Sequence, residues 1–216
     1  MRFYETYEWF TLFLMIALLA LASAKILNTL KFVDFIKVIG NSKYIKIYSK
    51  TQKFFDWFDA FLFINLVISV SVVFYFSLSE FFFSLDLSLV VFLKLLLAVS
   101  SLILIKTLLE RLLGSLFQID QIMDHYLFMK ITYKNYSGLV FFATSVLLIY
   151  TALPKNVVIY LCIGTICLIH LVGFLGLIKT YQNLIITNIF YFLLYLCTLE
   201  IGPYILLYKA IKDYNA

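Results

Sequence analysis

Proline occurs twice and glycine seven times in 216 residues, and only 13% of residues are charged. So few chain breakers exclude collagen-like and low-complexity linker proteins. So little charge excludes an ordinary soluble domain, where about a quarter of residues are charged, and it also excludes intrinsic disorder. The three cysteines, Cys162, Cys167 and Cys197, fall in apolar stretches with neither a CxxC pair nor metal-ligand spacing. They imply no disulfide framework and no zinc site.

What fills the chain instead is hydrocarbon. Hydrophobic residues make up 64% and aromatics 19%, and the mean hydropathy is +1.01. A bilayer core takes about 20 apolar residues of helix. Six stretches approach that length, at about 9–27, 57–77, 87–109, 138–153, 157–178 and 184–208. The fourth is short, and Pro154 and Asn156 between the fourth and fifth read as a tight helical hairpin. Because the runs are continuously apolar rather than alternating, they are helices and not barrel strands. The expected architecture is an all-α integral membrane protein. It is a six-transmembrane-helix bundle forming one polytopic domain over 1–216, with two amphipathic cytoplasmic interfacial segments.

Lysine and arginine set the expected orientation. One side holds Arg2, Lys155, Lys209 and Lys212. The other holds Lys25, Lys31, Lys37, Lys43, Lys46, Lys50, Lys53, Lys106, Arg111, Lys130, Lys134 and Lys179, while Lys94 lies within a span. The lysine-rich side is read as cytoplasmic, which puts both termini on the outer side of the membrane. Ala22-Ser23-Ala24 resembles a signal-peptidase site, but Glu5 and Glu8 outnumber Arg2 ahead of it. Cleavage would also strand the following lysines outside, so the first span is read as retained.

The first cytoplasmic segment, 28–56, has helical polar spacing. Lys43, Lys46, Lys50 and Lys53 share one arc opposite Tyr44, Ile45 and Ile47, and Lys31, Asp34 and Lys37 form a stripe beside Phe32, Val33, Phe35 and Ile36. Gly40-Asn41-Ser42 punctuates the two helices. One reading is a pair of interfacial helices whose lysines contact anionic lipid headgroups of the cytoplasmic leaflet. The other is that the lysines only enforce topology while the apolar face packs on the bundle. In the second segment, 110–137, Leu116, Ile119, Met123 and Tyr126 share a face, with Asp120, Asp124 and His125 beside it. No second acidic motif accompanies them, so they read as a solvated face and not a metal site.

Four polar side chains fall at membrane depth: Asn65, Lys94, His170 and Glu200. An ionisable group there costs roughly 2.5–3.5 kcal/mol unless partnered, so each is a candidate functional residue. Counting ~1.5 Å per residue places Lys94 and Glu200 level near the outer surface, and Asn65 and His170 level in a deeper layer. Such layers serve either an ion pathway or internal helix registration. Gly202 and Pro203 free a backbone carbonyl near Glu200 and bend the helix there. Gly164, Gly173 and Gly176, with Ser100 and Ser101, mark close helix approaches.

Catalytic signatures are missing. Ser137-Gly138 and His170 lie at different depths, which denies them the reach a nucleophile and its base need. Neither HExxH nor a phosphate-binding glycine loop occurs. No cofactor and no nucleic-acid partner are called for.

The run Lys106-Thr-Leu-Leu-Glu-Arg-Leu-Leu-Gly-Ser-Leu-Phe117 is followed by Asp124-His125-Tyr126 and Asn135-Tyr136-Ser137-Gly138-Leu139. Tyr191–Lys209 then reads YFLLYLCTLEIGPYILLYK. Together these resemble a domain-of-unknown-function family of small polytopic inner-membrane proteins from Bacteroidetes. The resemblance covers most of the chain, with Leu194-Tyr-Leu-Cys-Thr-Leu-Glu-Ile-Gly-Pro203 its most specific part. It implies an inner-membrane location and a role in the cell envelope, without an activity, substrate or cofactor. The expected function is therefore a non-enzymatic subunit or assembly factor of an envelope complex, with a membrane-protein partner. The alternative is a small transporter or ion-conducting subunit using Glu200, Lys94 and His170.

Overall fold

A computed structural model describes residues 8–41, 43–49, 56–81, 88–116 and 120–187, and among these residues the chain is all-helical. The helices are α1 (Glu8–Leu27), α2 (Thr29–Ile36), α3 (Lys43–Tyr48), α4 (Trp57–Phe81), α5 (Leu89–Leu116), α6 (Asp120–Tyr150) and α7 (Lys155–Thr187). Four segments are long and apolar enough to cross a bilayer: Trp9–Leu27, Trp57–Glu80, Leu89–Leu116 and Lys155–Gly176. Leu, Ile, Val and Phe side chains of α1, α5 and α7 stand exposed in rows, as suits a lipid solvent. The chain is a membrane protein.

Helix α4 is the axis. It packs against α1, α5, α6 and α7, whereas α5 packs mainly on α4 and α6 and is otherwise exposed. Ala17, Ala20 and Ala24 are buried along one face of α1, and their small size lets α1 and α4 approach closely. The two helices run antiparallel. Phe10 at the start of α1 meets Tyr75 and Phe76 near the end of α4, with ring centroids 5.1 and 5.2 Å apart. Ala24 joins Phe58 and Leu62 at the other end. Helices α4 and α6 run parallel, since Gly138 lies against Leu66 and Ser145 bonds to Ser69, about one turn further along α4 and two along α6.

The packing has two layers. At the lysine-poor end, Phe10, Tyr75, Phe76, Phe92, Leu148 and Ile159 form an aromatic-rich cluster. At the lysine-rich end, Phe35, Val38, Tyr44 and Ile45 of the α2–α3 region fill the space between Phe58 and Leu62 of α4 and Phe128, Met129 and Tyr133 of α6.

Three sequence expectations change. The amphipathic stretch before Gly138 and the apolar run after it are one 31-residue helix, α6, and not a loop segment followed by a span. Nothing between Asp120 and Ser137 breaks a helix, and Phe128, Met129 and Tyr133 give its first half a buried face. Helix α6 is not among the four segments picked out by length and composition, yet it runs from the lysine-rich cluster at Phe128 to the lysine-poor one at Leu148. The connection expected around Lys179 is helical as well, because α7 runs 33 residues to Thr187, roughly 50 Å against a core of about 30 Å. The expected sixth span thus begins inside α7, and its remainder, 188–208, lies outside the described residues. Four residues, 151–154, separate α6 from α7, and the Pro154 carbonyl accepts from Val157 and Val158 at 3.1 and 3.3 Å.

Candidate functional site

The four intramembrane candidates do not converge among the described residues. Asn65 is fully buried between α4 and α6, while Lys94 on α5 and His170 on α7 are exposed. Lys94 lies two residues past Phe92 of the lysine-poor cluster, and His170 follows Ile169 of the lysine-rich one. They therefore sit toward opposite ends of the bundle, and the expected Asn65–His170 layer divides between its interior and its surface. Glu200, Gly202 and Pro203, and with them the expected Lys94–Glu200 pair, lie outside the described residues, as do Lys50 and Lys53. Lys43 and Lys46 are exposed.

A polar seam surrounds Asn65. Its Oδ1 accepts from Ser69 Oγ at 3.4 Å, and Ser145 Oγ on α6 donates to the Ser69 carbonyl at 3.2 Å and to the Phe141 carbonyl at 2.8 Å. Asn65 Nδ2 finds no acceptor among the described residues. Gly138 makes the seam possible. A Cβ there would stand 3.1 Å from Leu66 Cα and 3.3 Å from Asn65 Nδ2. The same close-approach logic holds at Gly173, where a Cβ would meet the Tyr133 ring at 2.8 Å, but Gly164 faces open space. Ser100 and Ser101, expected to mark an approach, bond back to Leu97 and Ala98 of their own helix.

The densest charged constellation is one that helical spacing did not reveal. Lys31, expected on a solvated stripe with Asp34 and Lys37, is 6% exposed and turned into the bundle. Its ammonium bonds to Asp56 Oδ2, stands 3.9 Å from Asp59 Oδ2, and lies over the Phe58 ring at 4.6 Å and the Tyr48 ring at 5.7 Å. Asp56 Oδ1 accepts the Phe58 N–H at 3.1 Å and so caps α4. Asn28 caps α2 in the same way, accepting the Lys31 N–H at 2.9 Å. Aromatic faces and two carboxylates together hold a cation that the chain itself supplies.

Tyr44 closes this cluster from α3. Its ring stacks on Phe128 at 5.6 Å and lies 5.0 Å from Tyr48, and its buried hydroxyl has no partner among the described residues. Burial first, then the negative charge of Asp59 and Asp56, pushes that phenol far above its ordinary range. Dense aromatics around Lys31 and an aspartate just before Trp57 were the only sequence signals for the site.

A second buried ion pair joins α5 to α6. Lys130 Nζ donates to Glu110 Oε1 at 2.6 Å with Glu110 only 2% exposed, and Lys130 also lies over the Tyr126 ring at 5.5 Å. Arg111 stands 3.9 Å from Asp124, at a more exposed position. Among the described residues no three His, Cys, Asp or Glu side chains are arranged to hold a metal.

The family model described as Domain of unknown function (DUF4271) matches residues 10–211. The chain belongs to the DUF4271 family. The match reaches past α7 to include the Leu-Tyr-Leu-Cys-Thr-Leu-Glu-Ile-Gly-Pro stretch. No curated protein and no solved structure matches this DUF4271 chain.

Proposed function

We propose that this DUF4271 protein is a non-enzymatic, six-span protein of the bacterial inner membrane that serves as a subunit or assembly factor of a cell-envelope complex. In this reading the lysine-rich end is cytoplasmic and both termini are periplasmic. One observation carries it: Lys94 and His170 sit on the exposed faces of α5 and α7, among lipid-facing leucines and isoleucines. A pathway needs its ionisable groups turned toward a shared interior, whereas a lateral interface needs them turned outward, where a partner helix can satisfy them. Among the described residues, the buried polar side chains around Asn65 where α4 meets α6 are neutral amides and hydroxyls. That arrangement favours helix registration over ion transfer.

The test is purification of the intact protein from its native membrane in mild detergent, with a photo-crosslinking residue in place of Leu97 on the exposed α5 face. A stoichiometric membrane protein crosslinked at that position is the expected result. A protein recovered alone, with ion flux in proteoliposomes that Glu200→Gln abolishes, would replace this reading with the transporter.

A further inference from the structure

The α2–α3 region has a second apolar face that the bundle does not use. Segment Trp9–Leu27 is 19 residues, about 29 Å of helix, which matches a hydrocarbon core of about 30 Å. Its end and the start of α4 at Trp57 therefore lie at one membrane surface, and α2 and α3 between them lie at headgroup depth. Helix α2 begins one residue after α1 ends, with Asn28 as the joint.

On α2, Lys31 and Phe35, continued by Val38, face the bundle. On the opposite side Leu30, Val33 and Ile36 are exposed at spacings of three, and Leu30 is 78% exposed. Lys37 borders this arc, and α3 exposes Ile47 beside Lys43 and Lys46. Asp34 is the single acidic residue from 28 to 49, and Lys43 already meets it at 3.3 Å. Apolar side chains beside uncompensated lysines, at the level where acyl chains meet headgroups, match an anionic lipid leaflet in both chemistry and depth.

We propose that α2 and α3 form a lipid-embedded arm, with Leu30, Val33 and Ile36 seated among acyl chains and Lys37 and Lys46 binding anionic headgroups. The arm is fastened to the bundle through Lys31 and Phe35, so it holds lipid at a fixed place beside α1 and α4. The surface is independent of whichever partner covers α5.

The full-length protein, loaded with phosphatidylglycerol or phosphatidylcholine in detergent, would be examined by native mass spectrometry. Several-fold greater retention of phosphatidylglycerol is expected. It should fall several-fold in K37Q/K46Q and stay unchanged in K155Q, at the opposite end. In nanodiscs, a fluorophore on V33C, with Cys162, Cys167 and Cys197 replaced by serine, should be quenched by lipids brominated along the acyl chain. Equal retention of the two lipids, or of phosphatidylglycerol by K37Q/K46Q and wild type, would overturn the headgroup assignment. A V33C probe shielded from brominated lipid would mean that a protein covers this face, and would overturn the arm itself.

Discussion

Lys31 of α2 is tied to Asp56, the residue that caps α4. One carboxylate thus ends a spanning helix with one oxygen and anchors an interfacial helix with the other. The entry of α4 and the docking of α2 are consequently coupled.

Removing Lys31 should cost more than neutralising Asp56. Lys31→Met leaves Asp56 and Asp59 together without their cation, at a cost of roughly 2 kcal/mol after allowing for the partial exposure of Asp56. Asp56→Asn keeps a capping oxygen and should lose about 1 kcal/mol. Thermal unfolding in detergent ranks the two, and a Lys31→Met variant as stable as wild type would show that the pair contributes nothing.

Tyr44→Phe removes a buried hydroxyl without a partner among the described residues, so stability should rise by about 1 kcal/mol at neutral pH. The pH dependence follows from the raised phenol. The unfolded chain ionises above its ordinary value of 10.0 while the folded chain does not, so folding stability is full below that pH and falls as pH climbs past it. The variant should lose less stability than wild type over the same alkaline range. A Tyr44→Phe protein that is less stable near pH 7 would indicate that a water or ligand occupies the hydroxyl.

Glycine substitutions should separate cleanly. Gly138→Ala drives a methyl against the backbone of Leu66 and should cost roughly 1–3 kcal/mol, with α4 displaced from α6. Gly164→Ala meets nothing within 4 Å and should be neutral or stabilising by up to about 1 kcal/mol. Equal melting temperatures for the two variants would contradict the parallel α4–α6 seam.

Glu110 and Lys130 should behave as a unit. Either Glu110→Gln or Lys130→Met alone should destabilise, and the double variant should recover roughly 1–3 kcal/mol of the summed loss. Strict additivity in the double-mutant cycle would deny a direct bond between α5 and α6.

Run length and composition were enough to locate Trp9–Leu27, Trp57–Glu80, Leu89–Leu116 and Lys155–Gly176 as spanning helices, to within a few residues at most ends. They also placed two amphipathic helices, α2 and α3, in the lysine-rich segment between the first two spans. Continuity was harder to read. Local polarity near Lys134 and Lys179 suggested loops, but without proline or a terminating glycine the backbone stays helical wherever one face can be buried.

By itself, then, the sequence determined that this chain is helical, membrane-borne and basic at one end, because hydrophobic length and lysine bias act without regard to which neighbour a helix meets. Only the tertiary structure decided which way each helix turns. A helix apolar on every side has no preferred rotation until it packs. Even on amphipathic α2, sequence spacing could not show that Lys31 is buried and Lys37 exposed, because the carboxylates that hold Lys31 belong to α4 and its cap. Nor could spacing show that Lys94 and His170 face outward while Asn65 faces inward, or that Gly138 rather than Gly164 carries a close approach.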